Sequence, residues 1–73
     1  MTTQVYDATE AARFLHDALT VAAMDAHPDF ERDPEHPGTW IYFGEDNVDD
    51  DDLIDWFQRT HPREARAIGA RIV

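Results

Sequence analysis

A chain of 73 residues with sixteen acidic and six basic side chains carries a formal net charge of −10. This length supports one small domain, residues 1–73, with a radius of gyration of about 11 Å. The charge opposes direct binding to nucleic acid or anionic membranes and favours basic surfaces. The absence of cysteine excludes disulfides and thiolate metal sites.

No apolar run exceeds four residues, which is too short to span a bilayer. Met1 to Tyr6 also lacks the apolar core of a signal peptide. We therefore expect a cytoplasmic protein that makes no membrane contact.

The charge is distributed unevenly along the chain. Residues 1–58 contain fifteen acids and two arginines, a net charge of −13, whereas residues 59–73 contain four arginines and one acid, a net charge of +3. The acidic body therefore precedes a short arginine-rich end. Three roles remain open for that end: pairing with the acidic body, forming a homodimer contact, or touching an acidic patch on a partner.

The first elements are a short strand and a helix. Thr2 to Tyr6 is interpreted as an edge strand. Asp7, with Glu10 three residues later, has the spacing of a helix-capping box. The following residues, Ala8 to Ala26, predict one helix that Pro28 ends. Its apolar positions recur every three or four residues and predict a single buried stripe, made of Ala11, Phe14, Leu15, Ala18, Leu19 and Ala22.

A long connection and a strand follow. His27 to Gly38 contains three prolines and a glycine, which predicts an irregular loop pinned to the core by Phe30. Four acids alternate along it, so an extended segment would place them on one side: Asp29, Glu31, Asp33 and Glu35. Thr39 to Phe43 is β-branched and aromatic and predicts a strand that pairs with the N-terminal segment.

The most acidic stretch leads into the second helix. Asp49 is a predicted N-cap, with three aspartates in the first turn and Arg59 in the last. Residues 63–73 predict a third helix capped by Thr60, although Gly69 leaves a strand over 67–73 as an alternative. The expected fold is α+β, with two or three helices packed on a small two- or three-stranded antiparallel sheet.

Six carboxylates lie within eight residues, from Glu45 to Asp52. One or two acids would satisfy a helix start, so the rest require another explanation. A calcium loop fits poorly because neither possible EF-hand frame has the glycine at position 6. His27 and His36 adjoin acids in turn-like contexts, and His16 and His61 are interpreted as surface residues, so no metal or other cofactor is predicted. Carboxylates in one open run share a single solvated environment and do not suit acid–base catalysis. We therefore expect no enzymatic activity.

The remaining hypothesis is a charged face that binds a basic nucleic-acid-binding protein or complex. Duplex DNA carries one charge per about 1.7 Å of axis, a density that clustered carboxylates could imitate. The predicted partner-binding residues are the loop acids and the acids around the second helix: Asp29, Glu31, Asp33, Glu35, Glu45, Asp46, Asp49, Asp50, Asp51, Asp52 and Asp55.

In size, acidity, lack of cysteine and absence of catalytic motifs, the chain resembles small acidic phage-encoded inhibitors, including the anti-CRISPR proteins that act as DNA mimics. No motif is shared, so no residue roles transfer. The resemblance implies a stoichiometric inhibitor in a bacterial host that occupies the basic DNA channel of a CRISPR surveillance complex. The alternative is a non-catalytic interaction module, antitoxin-like or a regulatory subunit, anchored by Trp40, Trp56 or Phe30.

Overall fold

The computed structural model describes residues 5–11 and 13–72, apart from the side chain of Ala8. Within these ranges the chain forms four helices and one two-stranded antiparallel sheet, which confirms the α+β class. None of these helices is long and apolar enough to cross a membrane. The elements in chain order are α1 (Ala8–Ala11), α2 (Leu15–Ala26), β1 (Phe30–Arg32), β2 (Trp40–Tyr42), α3 (Asp50–Thr60) and α4 (Pro62–Ile72).

Helix α2 is the centre of the core because α3, α4 and β1 all pack against it. The buried core side chains come from α2, β2, α3 and α4 and are Leu19, Ala23, Met24, Trp40, Leu53, Phe57 and Ile68. Thr20 is buried among them, and its hydroxyl donates to the carbonyl of His16 (2.9 Å). That bond removes the cost of an unpaired buried hydroxyl. The radius of gyration is 11.7 Å, close to the expected value.

The predicted helix from Ala8 to Ala26 is in fact two helices. Asp7 caps the first as expected, because its Oδ1 accepts the backbone N–H groups of Thr9 (2.8 Å) and Glu10 (3.1 Å). Helix α1 then ends at Ala11, and α2 begins after the extended residue Phe14.

No proline or glycine lies near the break between α1 and α2, so the sequence has no local signal for it. Tyr6 donates its backbone N–H to the carbonyl of Gly38 (2.7 Å), and Val5 forms a bridge to Thr39. These bonds set the path of the chain into α1 from the hairpin side. The path of α2 is set instead by the core, so the chain turns between them.

The buried stripe therefore differs from the predicted one. Phe14 and Leu15 are 54% and 39% exposed, although the predicted stripe contained both. Ala11 and Leu19 are buried as predicted, and Ala23 and Met24 complete the buried face. Phe14 is the extended residue before α2 and Leu15 is the first residue of that helix, so neither lies in the part of α2 whose residues are buried.

The sheet also differs from expectation. Its strands are β1 and β2, with Phe30 opposite Tyr42 and Arg32 opposite Trp40, so the main partner of β2 comes from the segment predicted to be irregular. Prolines flank β1 without falling inside it, which leaves its N–H groups free to pair. The N-terminal segment contributes one bridge at Val5, and residues 2–4 of its predicted strand lie outside the described residues.

Helices α3 and α4 confirm most of the prediction for the second half of the chain. Asp49 caps α3, since its Oδ1 accepts the N–H of Asp52 (2.9 Å), and Arg59 pairs with Asp55 (3.1 Å). The alternative left open for residues 63–73 resolves as a helix. Thr60, however, belongs to the last turn of α3 and does not cap α4, because its hydroxyl donates to the carbonyl of Trp56.

His61 is half-buried, contrary to its interpretation as a surface residue. Its ring stacks on Phe57 with centroids 5.3 Å apart, and it also contacts Trp56 (5.5 Å). His27 lies on the same tryptophan (4.6 Å) and meets Phe30 edge-on. The rings of these two histidines thus extend the aromatic packing between the hairpin and α3. Stacked and edge-to-face contacts of this kind are more favourable for a ring than burial without a ring partner.

Two glycines allow a paired test of this fold. Gly38 has φ +85° and sits against the backbone of Tyr6, whereas Gly69 lies in α4 with space for a methyl group 4.0 Å from Leu15. We expect Gly38→Ala to destabilise the protein by about 2 kcal/mol or more, because the left-handed backbone and the Tyr6 carbonyl both oppose a Cβ. Gly69→Ala should stabilise it by about 0.5–1 kcal/mol. Urea unfolding measures both changes, and equal effects would contradict the described turn.

Candidate protein-binding surface

The helix-start acids are Glu45, Asp46, Asp49, Asp50, Asp51 and Asp52. All are exposed except Asp50, which is half-buried. The fold places them at the turn that leaves β2 and at the first turn of α3, where the positive end of the helix dipole offsets part of their repulsion. Together they form a dense negative surface on the described part of the chain.

His16 is the basic side chain described in contact with this surface. The Nε2 of His16 lies 3.5 Å from Asp51, and its Nδ1 lies 3.6 Å from Asp17. His16 also lines a shallow recess of about 420 Å³ with Asp49, Asp50 and Asp51. Asp17 was missed by the sequence prediction because it lies on another helix, and only the fold brings it to the start of α3.

The hairpin acids are Asp29, Glu31, Asp33 and Glu35, and the structure separates them. Strand alternation puts Glu31 on the face away from Phe30 and Arg32. The extended backbone ends at Arg32, so Glu35 lies in a turn and not along one extended row as predicted. Asp33 closes that turn by accepting the N–H of Glu35 (2.9 Å). This bond and the His36 ring lower the pKa of Asp33.

Two tyrosines connect the hairpin to the helix-start acids. The Tyr42 hydroxyl donates to the carbonyl of Asp46, and the pKa of Tyr42 is raised by desolvation and by the charges of Asp29 and Asp46. Those two acids, one from each predicted row, therefore lie near the same phenol. At the other end of the hairpin, Tyr6 bonds to Gly38 and donates its hydroxyl to Asp50 (3.3 Å).

The predicted rows thus approach each other at Asp29 and Asp46, but they do not form two parallel lines of acids. Asp33 and Glu35 make their own group with His36 in the hairpin turn. Asp55 lies further along α3 and is paired with Arg59, both side chains being about two-thirds exposed. The best-connected part of the predicted site is therefore the helix-start acids with Asp29.

Asp25, in the last turn of α2, is the acid with the most specific bonding and was not predicted. Its Oδ1 accepts from Trp40 Nε1 (2.9 Å) and Arg32 Nε (2.7 Å), while Oδ2 accepts from Arg32 Nη2 (2.6 Å). Desolvation raises the pKa of Asp25, but the bonds from Arg32 and Trp40 outweigh it and hold the pKa below its usual range. An acid near a helix C-terminus is unfavourable because it faces the negative end of the helix dipole. The position of Asp25 in the sequence was therefore the available signal that its carboxylate has a bonding partner.

Among the described residues, one group offers three potential metal ligands close together. Asp33, Glu35 and His36 each supply an atom within 4.8 Å of the others. The donor set would suit a transition metal, but Glu35 and His36 are exposed and the His36 ring already bonds to Asp33 (3.0 Å). Open groups of this kind are common without a metal, so we assign it no metal role.

No protein-family model matches this chain, and comparison with curated proteins and with solved structures also gave no match. Its function must therefore be inferred from the surface itself.

The Tyr6 hydroxyl provides a direct probe of the helix start. Burial and then the charge of Asp50 raise the pKa of Tyr6 to about 12. A phenol whose pKa is higher in the folded state stabilises the fold below pH about 10, and that contribution disappears as the pH rises through 12. In a Tyr42→Phe background, absorbance at 295 nm should titrate near pH 12, and Asp50→Asn should lower the midpoint. A midpoint near 10 while circular dichroism still shows a folded protein would contradict the described contact.

The Asp25 cluster predicts a fall in stability on acidification. A carboxyl with a depressed pKa stabilises the fold above its unfolded value of about 3.9, and the contribution is lost as the pH drops through the folded pKa. Because the side chain is 38% exposed, screening limits the loss in Asp25→Asn to about 1 kcal/mol at pH 7. The variant should also lose less stability than the wild type between pH 5 and pH 3.

Asp55→Asn is the matched control because it breaks the pair with Arg59, whose two side chains are about two-thirds exposed. We expect it to change the free energy of unfolding by less than about 0.5 kcal/mol. Urea unfolding across pH 3–7 compares the two variants, and equal losses would show that the Asp25 bonds have no special weight.

Proposed function

We propose that this protein is a non-catalytic, stoichiometric inhibitor that binds the basic surface of a nucleic-acid-binding protein and competes there with nucleic acid. The observation that carries the proposal is the helix-start acids: six carboxylates within eight residues, five of them exposed. Leaving Asp50 aside, their described ion pairs are limited to the one with His16. A surface this negative is attracted to cationic grooves over distances longer than a contact.

The pairing of the arginines supports the same conclusion. Arg32 is committed to Asp25, and Arg59 is committed to Asp55. Within the described chain, Arg63, Arg66 and Arg71 lie exposed on α4 and make no described ion pair with the helix-start acids. The protein therefore has cations available but leaves this surface negative, which costs free energy through like-charge repulsion.

The charge density limits the kind of groove that the surface fits. The longest dimension of the molecule is 33 Å, and a duplex of that length carries about 19 charges. The chain has sixteen acids and a net charge of −10, roughly half the density of DNA. This favours a groove that grips a short stretch of phosphates. We propose the DNA channel of a guide-loaded CRISPR surveillance complex as the first partner to test, because the resemblance in size and acidity points there.

The decisive experiment measures binding of labelled duplex DNA to that purified complex with increasing amounts of this protein. We expect DNA to be displaced at equimolar protein, and the displacement to weaken steeply as NaCl rises from 50 to 300 mM. Asp51→Asn/Asp52→Asn, which keeps the Asp49 cap and the Asp50 bond, should weaken inhibition about tenfold or more, the factor given by two interfacial charge pairs of about 0.7 kcal/mol each.

Glu10→Gln/Glu64→Gln is the control, because it removes the same charge from exposed positions outside the surface. It should leave inhibition within about twofold. If inhibition is absent, immobilised protein is used to capture basic nucleic-acid-binding proteins from a bacterial lysate, with elution by duplex DNA. Capture of such a protein would replace the CRISPR complex as the partner and would leave the proposed mode of inhibition in place. Failure of both assays would reject the proposed function.

The competing aromatic-anchor hypothesis requires different residues from those predicted. Trp40 is 2% exposed and belongs to the core, and Trp56 and Phe30 are half-buried against it. The exposed aromatic side chains are instead Phe14 (54%) and Phe43 (57%). If Phe14→Ser or Phe43→Ser weakens binding more than the two aspartate substitutions do, binding depends on apolar anchors and not on charge.

A further inference from the structure

A groove of about 340 Å³ runs between α2 and α4. Its α2 wall includes Ala18, Val21 and Ala22, and its α4 wall includes Ile68 and Ile72. The apolar surface continues past Gly69 to Leu15, which is 39% exposed. This face is separate from the helix-start acids and has no part in the function proposed above.

The outer side of α4 carries an unpaired acid and an unpaired base next to this groove. Glu64 and Arg71 are both exposed, and neither forms an ion pair within the described chain. They are seven residues apart, which is two helical turns, so they lie on the same side of α4 about 10 Å apart. Arg71 borders the groove, and Glu64 therefore lies along the same edge.

We propose that the α2–α4 groove is the contact surface between two copies of this chain, with the two α4 helices antiparallel across a two-fold axis near Ala67 and Ile68. Because the axis lies near residues 67 and 68, residues equally far before and after that point face each other in an antiparallel pair. Glu64 of each copy therefore faces Arg71 of the other. A two-fold axis repeats that pair and closes the assembly as a dimer. The exposed Ala67 and Ala70 allow the helices to approach closely.

Charge complementarity selects a second copy over other occupants. A basic partner would meet three exposed arginines on α4, whereas a second copy offers an acid and a base at the same spacing as Glu64 and Arg71. Two copies of net charge −10 repel each other least where the local charge is positive, and α4 carries three arginines against Glu64, a net charge of +2. A standard interface buries about 800 Å² on each side, whereas these two short helices present less. We therefore expect a dissociation constant on the order of 10–100 µM.

Sedimentation equilibrium from about 5 µM to 1 mM tests the dimer in the whole protein. It should tighten as NaCl rises from 20 to 300 mM, because screening reduces the repulsion between two acidic molecules while apolar burial is retained. Binding of the helix-start acids to a cationic partner should weaken as salt rises, whereas the dimer should tighten. The salt dependence therefore shows which of the two proposals has failed. A protein that stays monomeric at 1 mM and 300 mM NaCl overturns this one.

Charge reversal tests the geometry. Glu64→Arg or Arg71→Glu alone should raise the dissociation constant about tenfold, because each places like charges opposite one another twice. The double variant E64R/R71E keeps the net charge of the wild type and should restore dimerisation to within about threefold. Glu31→Arg changes net charge as E64R does, but on the hairpin, and should not weaken the dimer. Single variants without effect, or no restoration in the double variant, would reject the antiparallel pairing.

A dilution series of the wild-type protein followed by ¹⁵N-correlated NMR needs no substitution. It therefore tests the contact surface even if a charge reversal perturbs the structure of α4. Concentration-dependent shifts should cluster on α2 and α4. A cluster at the start of α3 instead would place the contact on the acidic surface and overturn the proposal.

Discussion

The attachment of the β1–β2 hairpin to α2, through Trp40 and Asp25, is the constraint on which the rest of the structure depends. A two-stranded sheet with three residues per strand is not stable alone in water, so the hairpin needs an attachment. Trp40 supplies it by burying its ring against α2, and Asp25 accepts the indole N–H that would otherwise be buried without a partner. Arg32, 5.0 Å above the Trp40 ring, covers the same carboxylate from the neighbouring strand.

The position of the acidic surface follows from that attachment. With the hairpin held on α2, β2 delivers the chain to Asp46 beside Tyr42, and α3 then packs its Leu53 and Phe57 on the same core. Tyr6 joins the hairpin turn to Asp50. The helix-start acids are therefore held by contacts on both sides, and a partner that binds them would not have to order a free loop. Such preorganisation reduces the entropy cost of binding.

Local signals in the sequence were sufficient for the elements whose cause is local. The Asp7 and Asp49 caps, the end of α2 before Pro28 and the Asp55–Arg59 pair all depend on residues within four positions of one another. The break after Ala11 has no proline or glycine to signal it, and the pairing of β1 with β2 joins segments eight or more residues apart, which no local pattern encodes. For the same reason the clustering of the helix-start acids could be predicted, whereas the approach of Asp17 and the dispersal of the hairpin acids could not.

We propose that the surplus of acid at the start of α3 serves binding rather than folding. Asp49 satisfies an orphan N–H group, and Asp50 to Asp52 gain about 0.3–1 kcal/mol each from the helix dipole at most, an effect that falls off beyond the first turn. Glu45 and Asp46 precede the helix and gain little from it, yet both add repulsion to the same surface. Since the arginines of α4 could have been placed to neutralise that repulsion and are not, the charge is retained at a cost to stability. Surfaces that keep a destabilising arrangement of this kind are typically functional. The repulsion among the helix-start acids is therefore the physical reason to seek a cationic partner for them.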